Sequence, residues 1–306
     1  YKGRKIEGNI VVNSIGSKGG TPDKGVNYKP LAEGIFLDDN SNNIEITGNT
    51  IGNTENSGLK MSNANNILVS NNTFFNSHSA LTIGNSVIGE DTRNLNIVNN
   101  QFFAKTSDQN SYSIKTYKND IESLGSFDKN YFFRPLGDEF SIENEYTKNS
   151  QKVAAIDNLE QWSSKFGKDK NSKSNSVEIS TYTISKKIGS SLYANSSFDQ
   201  NVSDVYCINA LANKVGNIST YLRYTGTPWE KLSAMTTFEI NTSLDGFEVL
   251  VSPYADVDDV SLLITSTEEN FSYWLDDLEF VEVEASFINP DEEILFEYNP
   301  TKNSKT

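Results

Sequence analysis

A recurring asparagine turn constrains this chain more than any other feature in it. Asn49, Asn72, Asn100 and Asn130 each end a two-residue polar turn, at spacings of 23, 28 and 30 residues. An alternating strand pattern precedes each turn and a short apolar one follows it. The copies read NIEITGNTIGN from residue 43, NILVSNNTFF from 66, NLNIVNNQFF from 94 and SFDKNYFF from 126. An earlier copy, KIEGNIVV (5–12), supplies Asn9. A period of this length suits one turn of a parallel β-solenoid, where each repeat buries its apolar face on the next. The chain has 38 asparagines, 25 of them within residues 1–150, which alone could mean a low-complexity tract. That reading fails because Ile, Leu, Val and Phe return in register with strand alternation. Asparagine tolerates left-handed backbone and bonds neighbouring peptide groups, so it suits a sharp turn. Stacked asparagines can also bond one another along a ladder. Ile51, Phe74, Phe102 and Phe132 are then expected to stack inside.

The pattern over residues 1–148 resembles the right-handed parallel β-helix of the pectin-lyase-like superfamily, here its C-terminal part. The resemblance implies three strands per coil, with substrate across the strand before the first turn. Those strands are GIFLDD (34–39), GLKMSN (58–63), ALTIGN (80–85) and YSIKTYK (112–118). Alternation points Ile35, Leu37, Leu59, Met61, Leu81, Ile83 and Ile114 inward. Phe36, Lys60, Thr82 and Lys115 then form one outward row, and Asp38, Ser62, Gly84 and Tyr117 the next. Residues 16–33 interrupt the repeat, and an insertion in a solenoid maps to a loop on one side, often the binding side. It brings Asp23, Lys24, Tyr28, Lys29 and Glu33 toward Asp38. The loop 76–79 brings in His78, the only histidine.

Two carboxylates flanking a sugar linkage can serve as acid and base, or as acid and nucleophile. Glu33, Asp38 and Asp39 are the catalytic candidates. Asp38 and Asp39 have the alternative of capping a turn or holding a cation. Tyr28, Phe36, Lys60, His78, Lys115 and Tyr117 are the candidates for substrate binding, and one lysine could be a lyase base.

The repeat stops after Tyr146. Asp157 and Glu160 have capping-box spacing and Gly167 a C-terminal stop, so a short helix is expected, with Trp162 plugging the solenoid end. Residues 168–176 read as a linker, completing a segment of 149–176. Alternating strands with turns about every ten residues fill 177–285, an antiparallel sandwich pattern. It resembles jelly-roll carbohydrate-binding modules through NSSFD (195–199) and WLDDLEF (274–280). That resemblance implies a structural calcium at Asp199 and Asp276 or Asp277. Tyr221, Tyr224, Trp229 and Tyr254 are candidate sugar-stacking aromatics, with Tyr224 and Trp229 preferred, while Trp274 is expected in the core. Residues 286–306 read as the start of a further β domain, so the chain is expected to be an internal piece of a longer protein.

The fold class expected is all-β, a parallel β-helix followed by a jelly-roll sandwich. The net charge of −15 argues against nucleic acid as partner, and no apolar run is long enough to cross a membrane. One cysteine, Cys207, excludes an intrachain disulfide. The function expected is a secreted bacterial polysaccharide-degrading enzyme, periplasmic or at the cell surface, a glycoside hydrolase first. The alternatives are a polysaccharide lyase on a uronate polymer, or a non-catalytic glycan-binding or adhesion protein. The partner is a poly- or oligosaccharide, and no cofactor is required beyond that structural calcium.

Overall fold

The computed structural model describes residues 3–16, 32–87, 89–106, 109–134, 141–176, 182–189, 193–194, 203–226, 231–233, 235–251, 253, 258, 260–266 and 270–285. They fall into two compact units, one ending at 176 and one beginning at 182. The described residues are all-β but for one short α-helix and a 3-10 turn.

Unit one holds β1 (Arg4–Glu7), β2 (Ile10–Val12), β3 (Ile35–Leu37), β4 (Asn42–Thr47), β5 (Thr50–Ser62), β6 (Asn65–Ser70), β7 (Thr73–Asn85) and β8 (Arg93–Val98). There follow β9 (Gln101–Phe103), β10 (Asn110–Thr116), β11 (Gly125–Asp128), β12 (Tyr131–Arg134), β13 (Ile142–Lys148), β14 (Gln151–Asp157), α1 (Leu159–Phe166) and β15 (Lys173–Ser176). Equivalent strands of successive repeats pair in parallel. One sheet runs β1-β4-β6-β8-β11, and the other carries β2-β5-β7-β9-β12-β15 and β3-β5-β7-β10-β13. The register stacks inward side chains in columns. Ile6, Ile46, Val69, Ile97 and Phe127 form one. Val11, Ile51, Phe74, Phe102 and Phe132 form the second. Ile35, Leu59, Leu81, Tyr112 and Ile142 form the third. The rings of Phe74 and Phe102 stack at 5.2 Å, and those of Phe102 and Phe132 lie 5.4 Å apart.

The turn asparagines form a ladder, as the spacing predicts. Asn9, Asn49, Asn72 and Asn100 each donate backbone N–H and Nδ2 to the Oδ1 of the next, at 2.9–3.1 Å. The left-handed residue is not the ladder asparagine, however. It is the one before: Gly8, Gly48, Asn71, Asn99 and Lys129, with φ of 57–66°. The ladder residue itself must keep its side chain turned inward, so the sharp bend falls one position earlier.

The ladder ends on Asn130, whose Nδ2 donates to Asp169 Oδ1 at 2.8 Å and whose N–H donates to Ser172 Oγ. Trp162 is fully buried over the stack, against Tyr112 and Phe127, and donates Nε1–H to Asp169 Oδ2 at 3.0 Å. The plug expected of Trp162 is therefore found. Two neighbouring expectations are corrected. The helix is capped by Asn158 with Gln161, because Asp157 is drawn wholly inside to accept from Lys165 and Asn144. Residues 168–176 are not a linker: Lys168 and Asp169 are buried, and β15 pairs in parallel with β12.

Unit two has β16 (Tyr182–Gly189), β17 (Tyr193–Ala194), β18 (Ser203–Ala212), β19 (Gly216–Tyr224), β20 (Thr236–Ile240), β21 (Asp245–Val251), β22 (Val260–Thr265) and β23 (Tyr273–Ala285). Two antiparallel sheets, β16-β23-β18-β21 and β17-β22-β19-β20, share a core of Leu222, Val249, Val251, Val260, Leu262 and Phe280.

Candidate functional site

The outward face of unit one is set by the register of β3, β5, β7, β10 and β13. Phe36 faces Lys60, Lys60 faces Thr82, Thr82 faces Ser113, and Ser113 faces Glu143. Lys115 lies in the adjacent row, opposite Gly84 and Glu145, and Tyr117 one step further on. The expected rows are thus displaced by two residues at β10. The cause is Tyr112, which turns inward opposite Leu81 and is itself completely buried.

Glu33 is the best placed of the three catalytic candidates, and it is fully engaged. Its side chain is only 9% exposed beside Lys60, whose Nζ sits 3.2 Å away. Its Oε1 also accepts from Asn56 Nδ2 and its Oε2 from the backbone N–H of Ser57, each at 2.8 Å. These bonds tie the end of the insertion to the next repeat. Lys60 lies 5.0 Å above the exposed ring of Phe36, a cation–π arrangement. Asp38 and Asp39 are exposed in a turn closed by the Ser41 N–H to the Asp38 carbonyl. Tyr28 lies outside the described residues. His78 is exposed, but within strand β7 rather than on a loop. Ser113 donates to Glu143 Oε2 at 2.6 Å, with Lys115 Nζ 3.9 Å from Oε1.

Tyr117 belongs to an ion-pair cluster that sequence reasoning missed. Its hydroxyl donates to Asp91 Oδ1 at 2.8 Å, as does Lys118 Nζ. Arg93 bridges Asp91 and Asp120. The Lys118 hydrogen bond, with that of Tyr117, holds the Asp91 carboxyl below its ordinary range. The partners come from segments about one repeat apart, so no local motif announces them.

On unit two, two aromatic expectations change. Tyr224 points into the core, packing against the Leu222 cluster. Trp274, expected inside, is 56% exposed. The parity of β23 decides this: Tyr273 and Leu275 pack inward, leaving Trp274 and Asp276 outward. Trp274 pairs across with Leu211, and Asp276 with Asn209. Leu244, 53% exposed, immediately precedes β21, on the line of Trp274 and Leu211. Gly246 lies opposite Asn209, where an added Cβ would come within 2.9 Å of Asn209 Oδ1. An irregularity in the pairing of β18 and β23 turns Asp277 to φ 49°, and Asn209 Nδ2 donates to its Oδ2 at 3.1 Å. The result is an apolar row, Trp274, Leu211 and Leu244, beside a polar row, Asp276, Asn209 and the bare Gly246. Asp199 and Trp229 lie outside the described residues. Among the described residues no three acidic, histidine or cysteine side chains come together as a metal set.

No family model matches the chain. No curated protein matches it in sequence. Among solved structures, one described as "CBM4 structure and function" aligns with 30% of this chain and 70% of its own, at 10% identity and a TM-score of 0.23. A likeness of that size carries no argument here.

Proposed function

We propose that this chain is a polysaccharide-binding protein, in which a parallel β-helix of the pectin-lyase-like kind forms a rigid scaffold and the sandwich unit holds the sugar. The observation that supports it is the exposed Trp274 beside Leu211, with Asp276 and Asn209 in the neighbouring row. A pyranose offers an apolar face of ring hydrogens, which suits an indole, and equatorial hydroxyls, which suit a carboxylate and an amide. Gly246 leaves the space above Asn209 clear. On this reading the protein works outside the cell or at its surface, where polysaccharide is found.

The test is a calorimetric screen against neutral plant and algal polysaccharides, repeated with Trp274→Ala. Loss of an anchoring aromatic costs about 2 kcal/mol or more, roughly 30-fold in affinity. The variant should keep its melting temperature, since the side chain is exposed. Binding unchanged in the variant, or no binding to any glycan tested, would remove the proposal.

A second reading is a polysaccharide-degrading enzyme, a hydrolase before a lyase. It is favoured by one feature: the Glu33 carboxylate, paired with Lys60 beside the exposed Phe36. It requires new reducing ends in incubations with polysaccharide, abolished by Glu33→Gln. A lyase would also release reducing ends, but its product would carry an unsaturated uronate absorbing in the ultraviolet, which a hydrolase does not form.

A further inference from the structure

The gap left by Gly246 on unit two is bordered by acceptors. Phe247 and Val249 pack inward, so Gly246 and Glu248 face out along β21. Asn209 on β18 pairs with Gly246 on one side and with Asp276 of β23 on the other. Its amide has a fixed direction. Nδ2 donates to Asp277 Oδ2 at 3.1 Å, and the reverse setting would press an amide oxygen on a carboxylate. Oδ1 is therefore the atom turned toward Gly246, 2.9 Å from where a Cβ would stand. Asp276 Oδ1 accepts the Asp277 N–H at 2.9 Å, which leaves Oδ2 for another partner. Asp276, Asp277 and Glu248 are all exposed, and none forms an ion pair among the described residues. Like-facing residues of a strand lie about 6.7 Å apart, so Asp276 stands roughly one sugar ring from Trp274.

We infer that the sugar selected beside Trp274 carries a primary amine, a 2-amino-2-deoxy pyranose of the kind that makes up chitosan. The inference rests on the reading of the sandwich as the glycan-binding unit and names the chemistry of its ligand. An ammonium group has three donors and no acceptor, which complements the Asn209 oxygen and the Asp276 carboxylate. A hydroxyl donates once, and its lone pairs meet acceptors at this border. An N-acetyl group brings a carbonyl oxygen that meets them too. Charge points the same way, since carboxylates without a basic partner attract a cation, an effect that water and salt moderate. Trp274 supplies the apolar stacking that every pyranose shares, and the border beside it discriminates among them.

The experiment titrates the full chain calorimetrically with three β-1,4-linked tetrasaccharides that differ only at C2, built from glucosamine, N-acetylglucosamine and glucose. At about pH 5.5 free carboxyl groups are ionised and the sugar amine is protonated. The glucosamine tetramer should bind roughly ten-fold tighter than the glucose tetramer, and the N-acetyl tetramer no tighter than glucose. Asp276→Asn keeps the acceptor for the Asp277 N–H and removes the charge, so it should erase most of that ratio. Trp274→Ala should weaken every tetramer that binds. Equal affinity for glucosamine and glucose, both dependent on Trp274, overturns the inference and leaves the sandwich reading in place. Glucosamine binding indifferent to Trp274→Ala overturns it as well, because the acidic surface would then be holding a polycation without a sugar site. Binding of none of the three also overturns it, and the sandwich reading is then decided by the wider screen of polysaccharides.

Discussion

Asn72 shows what a single rung contributes. It is 1% exposed, accepts from the N–H and Nδ2 of Asn49, and donates Nδ2 to Asn100 Oδ1 and to the Ile46 carbonyl. Asn72→Ala removes the acceptor and strands buried donors, each costing about 1–3 kcal/mol. Urea denaturation should register a loss of roughly 2–4 kcal/mol. Asn94 belongs to an exposed ladder with Asn66 and Asn42. Asn94→Ala should therefore cost less, about 1 kcal/mol, chiefly from placing alanine at the left-handed φ of 57°. At the closed end, burial pushes the Asp169 carboxyl up, despite its hydrogen bonds from Asn130, Ser172 and Trp162. An aspartate in the unfolded chain titrates near ~3.9. The folded protein thus holds this proton more tightly than the unfolded one. Its contribution to stability is complete below about pH 3.9 and is lost as pH rises through the folded pKa. Between pH 3.5 and 7, the melting temperature of wild type should fall relative to that of Asp169→Asn. A difference that stays constant or rises would contradict this.

At the scale of the element, the small residues are as informative as the large ones. Gly34, Gly58 and Ala80 occupy equivalent inward positions just ahead of the third column. A Cβ on Gly58 would lie 2.7 Å from the Ala80 carbonyl oxygen and 2.8 Å from Phe74 Cδ1. Neither can yield, since one is backbone and the other is clamped in the phenylalanine stack. Gly58→Ala should cost about 1–3 kcal/mol in denaturant unfolding. The period, the inward columns and the ladder were legible because they repeat within 23–30 residues and share one parity. Register was lost where the repeat makes a longer excursion, before β10. There Gln109 replaces asparagine in bonding Asn76, and Tyr112, which reads equally well as a surface residue, takes the inward place. Trp274 failed for a related reason. A strand shifted by one residue exchanges its faces, and Trp-Leu beside Tyr gives no parity of its own. For Glu33 the sequence offers the carboxylate and Lys60, but not the Asn56 amide and Ser57 N–H that occupy it from the next repeat.

At the scale of the whole molecule, the charge distribution decides which glycans the proposed binding role would admit. Residues 1–150 hold 14 basic and 17 acidic side chains, and residues 151–306 hold 12 and 24, so the net −15 resides mainly in the second half. The apolar row of Trp274 lies in that half, flanked by Asp276, Asp277 and the exposed Glu248. An anionic polymer approaching it meets like charge, which slows encounter and opposes binding until salt screens the repulsion over the ~8–10 Å of the Debye length. A neutral glycan meets no such barrier, because stacking and hydrogen bonds to uncharged hydroxyls change little with ionic strength. Calorimetry at 50 mM and 500 mM salt, taken as round values about ten-fold apart in ionic strength, should separate the two. Affinity for a neutral polysaccharide should agree within about two-fold and depend on Trp274. Affinity for a polyuronate should be weaker at low salt and should not fall as salt is raised. Tight polyuronate binding at low salt, weakened by salt and untouched by Trp274→Ala, would instead locate recognition on the nearly balanced face of Lys60 and Lys115, and would transfer the binding role from the sandwich to the repeats.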